Sequence, residues 1–285
     1  MVIRLLPAAL LMALVAQAAE QPSAPTATVP QRLVSTDAAA TEILQLLGVS
    51  ERLVAVDASS ELPAGQSLPR LGYHRALSAE GLISLAPDLV IGSEHMGPPH
   101  VLEALARAEV PVLKLDSPES LPTLIANIEA IANATGSRGG AVLAERLRGQ
   151  SVQLADQALL GQKAAFLLRA EGGKLRLAGS GTAGAGFLDL LGADNVAEHA
   201  NYRSVTPEAL LALAPDLLVL ADAENLGSQA FIEQFPVLRF SPAVRDGRLF
   251  AVDAGTLVAG ISVAAVAEAG RIQQAARQQF AEQAN

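Results

Sequence analysis

The 285-residue chain contains no cysteine and no tryptophan, and aromatic residues make up only 3% of it. Without cysteine there is no disulfide, no thiolate zinc or iron–sulfur site, and no lipid anchor on an N-terminal cysteine. With so few aromatics, the 51% of apolar residues must build a core mainly of Leu, Ala and Val. Runs of Lys or Arg are missing as well, and a formal charge of −9 argues against the basic face that nucleic acid requires. No Ser stands in a nucleophile elbow, no His pair has metal-ligand spacing, and no carboxylate pair is set for acid–base work. That pattern suits a binding protein better than an enzyme.

Long apolar runs are scarce too. The one present, "LLPAALLMALVA" (Leu5–Ala16), is shorter than the roughly 20 residues of a spanning helix. Arg4 precedes it and "AQAA" ends it, so residues 1–19 read as a secretory signal peptide cut near Ala18 or Ala19. Arg4 would leave with that segment, taking the formal charge from −9 to −10. "EQPSAPTATVP" then reads as a flexible leader over residues 20–31. An exported chain without a lipid anchor is expected to be a soluble periplasmic protein, here a monomer.

What the sequence does have is a long-range repeat. "AEGLISLAPDLVIG" (79–92) returns as "PEALLALAPDLLVL" (207–220), 128 residues on, with seven of fourteen positions identical. Each copy reads as a short amphipathic helix that Ser78 or Thr206 can cap, a stop at Pro87 or Pro215, and a continuous apolar run. Such a run suits a strand buried on both faces of a parallel sheet. Strand and helix patterns alternate around both copies, which predicts an α/β fold of two Rossmann-like lobes, residues 32–136 and 163–285. Between them, residues 137–162 have helical spacing and read as one long linking helix. Ligands of two-lobed α/β proteins bind in the cleft at the carboxyl ends of the strands. Glu80 and Glu208 occupy matched places in the first helical turn of each copy; helix-dipole stabilisation accounts for them, and so does a pair of handles for a two-fold partner.

Across about Arg32 to the C-terminus the chain resembles the substrate-binding proteins of bacterial ABC importers for siderophores, cobalamin and haem. "LGYHRALSAEGLISLAPDLVIGSEHMGPP" (Leu71–Pro99) is similar to the haem-binding branch, which carries a Gly-Tyr-x-Arg segment before the helix and a Ser-Glu-…-Gly-Pro-Pro stretch after the strand. The resemblance implies a transported haem in the inter-lobe cleft, with Tyr73 as axial ligand to the iron and Arg75 beside it. It also implies an ABC permease of the inner membrane as partner, docked through Glu80 and Glu208. The chemistry is consistent: a phenolate is a hard anionic donor suited to ferric haem, and a nearby guanidinium can stabilise it or pair with a propionate.

Other residues enter as candidates. Tyr202 and Arg203 precede the second copy, with ordinary packing an equal account of Tyr202; Lys174 and Arg176 are further cations for propionates. His95 and Met96 follow the first strand and are candidate cleft contacts, whereas His74 is expected to point away from Tyr73, and His100 and His199 read as surface residues. No His occurs in Arg169–Gly181, so iron held by Tyr73 alone is the expectation. "GSGTAG" (Gly179–Gly184) satisfies G-x-G-x-x-G and so raises an exported dinucleotide-dependent oxidoreductase as a rival; the same loop, with Gly181 at its centre, would equally suit a haem propionate. A ferric siderophore or cobalamin on the same fold is the nearer alternative, and a ligand-free structural duplication the plainest one.

Overall fold

The two copies of the repeat fold alike, and for the same local reasons. The computed structural model describes residues 29–170, 174–221, 227–258 and 260–283; the expected signal peptide and most of the expected leader lie outside these. In the first copy Ser78 Oγ accepts from Gly81 N–H (3.2 Å) to start helix α2 (Ala79–Ser84). In the second, Thr206 Oγ1 accepts from Ala209 N–H (3.2 Å) to start α7 (Pro207–Ala212). Each cap is worth about 1 kcal/mol. Both helices end in a residue forced to positive φ ahead of proline, Ala86 (44°) and Ala214 (46°), and both lead into a fully buried strand, β3 (Leu89–Ser93) and β9 (Leu217–Ala221). Asp88 and Asp216 then pin the neighbouring strand, accepting from Arg32 N–H (2.9 Å) and Lys163 N–H (3.0 Å) respectively.

Around the first copy stand β1 (Leu33–Ser35), α1 (Ala38–Leu46), β2 (Leu53–Val56), α3 (Pro99–Arg107) and β4 (Val112–Leu115). Their sheet is wholly parallel, in the order β2-β1-β3-β4. Leu89 and Ile91 face one core and Val90 the other, the two-sided burial that a continuous apolar run provides. The second lobe holds β5 (Lys163–Ala170), β6 (Lys174–Ala178), α6 (Ala183–Leu191), β7 (Asp194–Asn195), β8 (Tyr202–Val205), α8 (Gly227–Gln234), α9 (Pro242–Arg245), β10 (Leu249–Val252) and α10 (Val263–Gln283). Its order is β10-β9-β5-β6-β8, with β7 beside the start of β5. This sheet is mixed rather than Rossmann-like throughout, because β6 runs antiparallel to both β5 and β8. Only three residues separate β5 from β6, too few for a parallel crossover.

The lobes are joined by a pair of helices, α4 (Leu121–Thr135) and α5 (Gly140–Asp156), packed on each other. The helix expected over residues 137–162 is thus shorter, since a turn at 136–139 precedes it and residues 157–162 leave the helix. α4 packs on the first lobe and α5 on α6 and α10 of the second. The largest apolar cluster runs through both, from Leu33 and Ile91 in the first sheet to Phe166 and Val219 in the second. Smaller clusters belong to each lobe alone.

A second link is polar. Glu42 of α1 accepts from Val263 and Ala264 N–H (2.8 Å each), holding the first amides of α10 across the lobe boundary, while Ser262 Oγ caps Ala265 N–H (3.1 Å). Burial raises the Glu42 pKa, and the two amide hydrogen bonds oppose that. Shared core and carboxylate clamp together restrain the lobes against each other. Among the described residues no helix is long and apolar enough to cross a membrane.

Candidate functional site

After β2 the chain loops over residues 57–78 before α2. Leu71 N–H donates to Val56 O (3.0 Å) and Ala58 N–H to Gly72 O (2.7 Å), so residues 70–72 lie along the carboxyl end of β2. Tyr73 follows, and Ala76 N–H donates to its carbonyl (2.8 Å) to close a turn. That turn is stitched to the loop after β3 by Leu77 N–H on Gly97 O and Gly97 N–H on His74 O (both 3.0 Å). The carboxyl ends of parallel strands are where ligands of such sheets bind.

Tyr73 is 49% exposed there, and among the described residues its hydroxyl has no hydrogen-bond partner. Arg75 is exposed two residues on, and its guanidinium is likewise without a hydrogen bond or ion pair among the described residues. His95 is exposed on the adjoining loop. Met96 is not available with it: the side chain is buried in the first lobe's own core with Leu77, Leu82 and Val101. An apolar thioether at the foot of a tight loop gains more from packing than from solvent, so the expected cleft contact is corrected to a core residue.

Beneath Tyr73 lies a buried polar cluster that sequence reasoning did not find. Asp57, fully buried, accepts from Ser59 and Ser60 Oγ (2.6 Å each). Ser60 bonds Thr41 (2.6 Å), which donates to Ser35 (2.8 Å). Asp37 caps α1 through Ala40 N–H (2.7 Å) and ties down the β3 end through Ser93 N–H (2.6 Å). Burial pushes the Asp37 pKa up to about 6, opposed by those amides and assisted by the charge of Asp57. His74, expected to point away from Tyr73, is instead buried with its ring against that of Tyr73, centroids 4.0 Å apart and planes at 45°, because the segment closes a turn rather than running extended. Burial lowers the His74 pKa; Asp57 opposes this, while Arg75 and His95 add to it. The visible signal was Asp37 and Asp57, the first separated from β1 by Thr36 alone and the second directly after β2.

The second lobe uses its tyrosine differently. Gly184 N–H donates to Tyr202 Oη (3.1 Å), so the phenol completes the cap of α6 beside Thr182, which accepts from Ala185 N–H (3.1 Å). Burial raises the Tyr202 pKa, the direction unfavourable for a metal ligand, and its hydroxyl is already engaged in that cap. Those two bonds also occupy amides of the α6 start that the propionate idea required. Gly181 is exposed at positive φ (70°), and Arg203 is exposed on β8; Arg176 donates to Tyr202 O (3.1 Å), and Lys174 is exposed. The other glycines of "GSGTAG" have packing reasons: a Cβ at Gly179 would lie 2.0 Å from His199 O, and one at Gly184 would lie 2.4 Å from the Phe166 ring. The strand before the motif is antiparallel to its neighbours, not the first strand of a βαβ unit, so the dinucleotide fingerprint lacks its context.

An inter-lobe cavity of about 220 Å³ is lined by Glu42, Gln45, Ser59, Asp253, Thr256 and Ser262, and by neither Tyr73 nor Arg75. It is smaller than the roughly 300–1,000 Å³ of small-molecule pockets. Glu80 and Glu208 are both exposed in the first turns of α2 and α7. His100 is exposed and His199 half-buried.

A structure of the periplasmic haem-binding protein HutB of Vibrio cholerae superposes with a TM-score of 0.79 at 34% identity, over 86% of this chain and 98% of that one. A periplasmic haem-binding protein of Pseudomonas aeruginosa gives 0.78 and 34%, over 86% and 92%. Among curated sequences, a vitamin B12-binding protein of Pectobacterium atrosepticum is 30% identical over 105 residues. That match spans 36% of this chain and only 37% of the relative's length. These are substrate-binding transport proteins rather than enzymes, and the likeness fits the class that serves siderophores, cobalamin and haem. The periplasmic binding protein family model matches residues 33–256, and the chain belongs to that family.

Proposed function

We propose that the protein captures ferric haem between its lobes in the periplasm and delivers it to an inner-membrane ABC importer. The observation that carries this reading is the exposed, unpartnered phenol of Tyr73 with the unpaired guanidinium of Arg75 beside it, at the carboxyl end of the first sheet. Tyr73 supplies the axial oxygen to iron, and the cationic Arg75 favours its phenolate or holds a propionate. His95 and Arg203 are further exposed candidates for the haem rim, and exposed Gly181 leaves room for it. The similarity to haem-binding proteins over most of both chains supports the same ligand.

One observation favours a second reading, cobalamin: the curated sequences matched over about a third of the chain are vitamin B12-binding proteins. Parallel titrations with hemin and with cyanocobalamin separate the two. The haem reading expects a shifted Soret band and saturable uptake of hemin, with no competition by cobalamin. Tight cobalamin binding without a hemin spectrum would replace it.

Docking on the permease is assigned to Glu80 and Glu208. Reversing both to Arg is expected to abolish haem transport in reconstituted vesicles while leaving haem affinity within about twofold, a few tenths of a kcal/mol. Transport that survives the double reversal would remove these acids from the interface.

A further inference from the structure

We infer that His74 is a positioning residue for the Tyr73 phenol, acting as the buried floor on which that ring rests. The inference rests on the reading of Tyr73 as the iron ligand. Tyr73 itself is poorly restrained: nearly half of it is exposed, and its hydroxyl has no partner among the described residues. Its backbone is fixed by the turn to Ala76, but a backbone does not orient a ring. The aromatic contact that does so is with His74, whose ring lies 4.0 Å from it, centroid to centroid.

His74, by contrast, is buried and anchored through its backbone. It is 2% exposed, and its carbonyl accepts from Gly97 N–H (3.0 Å), tying it to the loop after β3. Its Nδ1 faces Asp57 Oδ2 at 4.0 Å without a hydrogen bond. Asp57 is in turn fixed by Ser59 and Ser60, and Ser60 by Thr41 of α1. A half-exposed side chain against a rigid ring loses less orientational freedom on ligation than one in solvent, and preorganised ligands bind more tightly. Tilted aromatic pairs of this kind contribute beyond their buried area.

The chain has only two tyrosines, so ring-labelled tyrosine gives two sets of nuclear resonances, one for Tyr73 and one for Tyr202. Two variants separate the ring contact from bulk: His74→Leu removes the aromatic floor, and His74→Phe keeps it. In haem-free protein, His74→Leu is expected to move the Tyr73 resonances and leave those of Tyr202, and His74→Phe to hold Tyr73 nearer its original position. With hemin bound, His74→Leu is expected to shift the tyrosinate-to-iron charge-transfer band and to speed haem release about tenfold, equivalent to about 1.4 kcal/mol. His74→Phe is expected to stay within about threefold on the same scale. Tyr73 resonances unmoved by His74→Leu would overturn the inference, as would a Phe variant impaired as much as the Leu variant. Failure of the haem reading looks different: wild-type protein would bind no hemin, while the haem-free resonances still report whether His74 orients the ring.

Discussion

Two tyrosines precede the two copies of one repeat, and the lobes use them in opposite ways. In the first lobe Tyr73 stands exposed with its hydroxyl unclaimed; in the second, Tyr202 is half-buried and its hydroxyl completes the cap of α6. The scaffolds match down to the positive-φ alanines and the aspartates that pin the adjacent strand. The surroundings do not. Among the described residues the two buried carboxylates, Asp37 and Asp57, both lie in the first lobe, Asp57 facing the His74 ring that touches Tyr73. Each copy gives its lobe a matching capped helix and buried strand, while the exposed, unclaimed phenol stands in the first lobe alone.

The contrast predicts different responses to pH. Burial raises the Asp37 pKa from 3.8 to about 6, so the folded state keeps a proton that the unfolded chain has lost between those values. The Asp37 contribution to stability is therefore fully present below about pH 4 and is lost as pH rises through 6, a change on the order of 3 kcal/mol. Urea unfolding of wild type and Asp37→Asn should give profiles that converge or diverge by that amount between pH 4 and 7. Parallel profiles would show that the first lobe carries no such strained carboxylate.

A smaller effect sharpens the other half of the comparison. Tyr202→Phe leaves the Gly184 amide without its acceptor, and the protein should lose about 1 kcal/mol in urea unfolding. Haem uptake should not change. A variant as stable as wild type that bound haem less well would move Tyr202 from the scaffold to the site.

Much of the fold was legible in the sequence because the repeat couples three local signals: a capping hydroxyl, a proline stop and a two-sided apolar run. Those signals are short-range, and the strands and helices they predict at 79–93 and 207–221 are present. The antiparallel β6 was less legible, since a strand pattern does not state its direction; the three-residue gap before it was the available clue. The linking helix was over-extended because helical spacing at Val142–Leu154 runs on into residues that turn at Gln157. In the site, the exposure of Tyr73 and Arg75 followed from the motif, but the burial of Met96 did not, because loop residues next to a glycine have no periodicity to read. The inter-lobe clamp of Glu42 joins residues 221 apart, a separation at which sequence pattern carries no signal.

Under the proposed haem function Tyr73, not Tyr202, meets iron, and a hemin titration followed by absorption spectroscopy tests this most directly. Wild type and Tyr202→Phe should show the same shifted Soret and tyrosinate charge-transfer bands, while Tyr73→Phe should lose the charge-transfer band and bind about a hundredfold more weakly, near 2.7 kcal/mol. A Tyr73→Phe spectrum indistinguishable from wild type would contradict it.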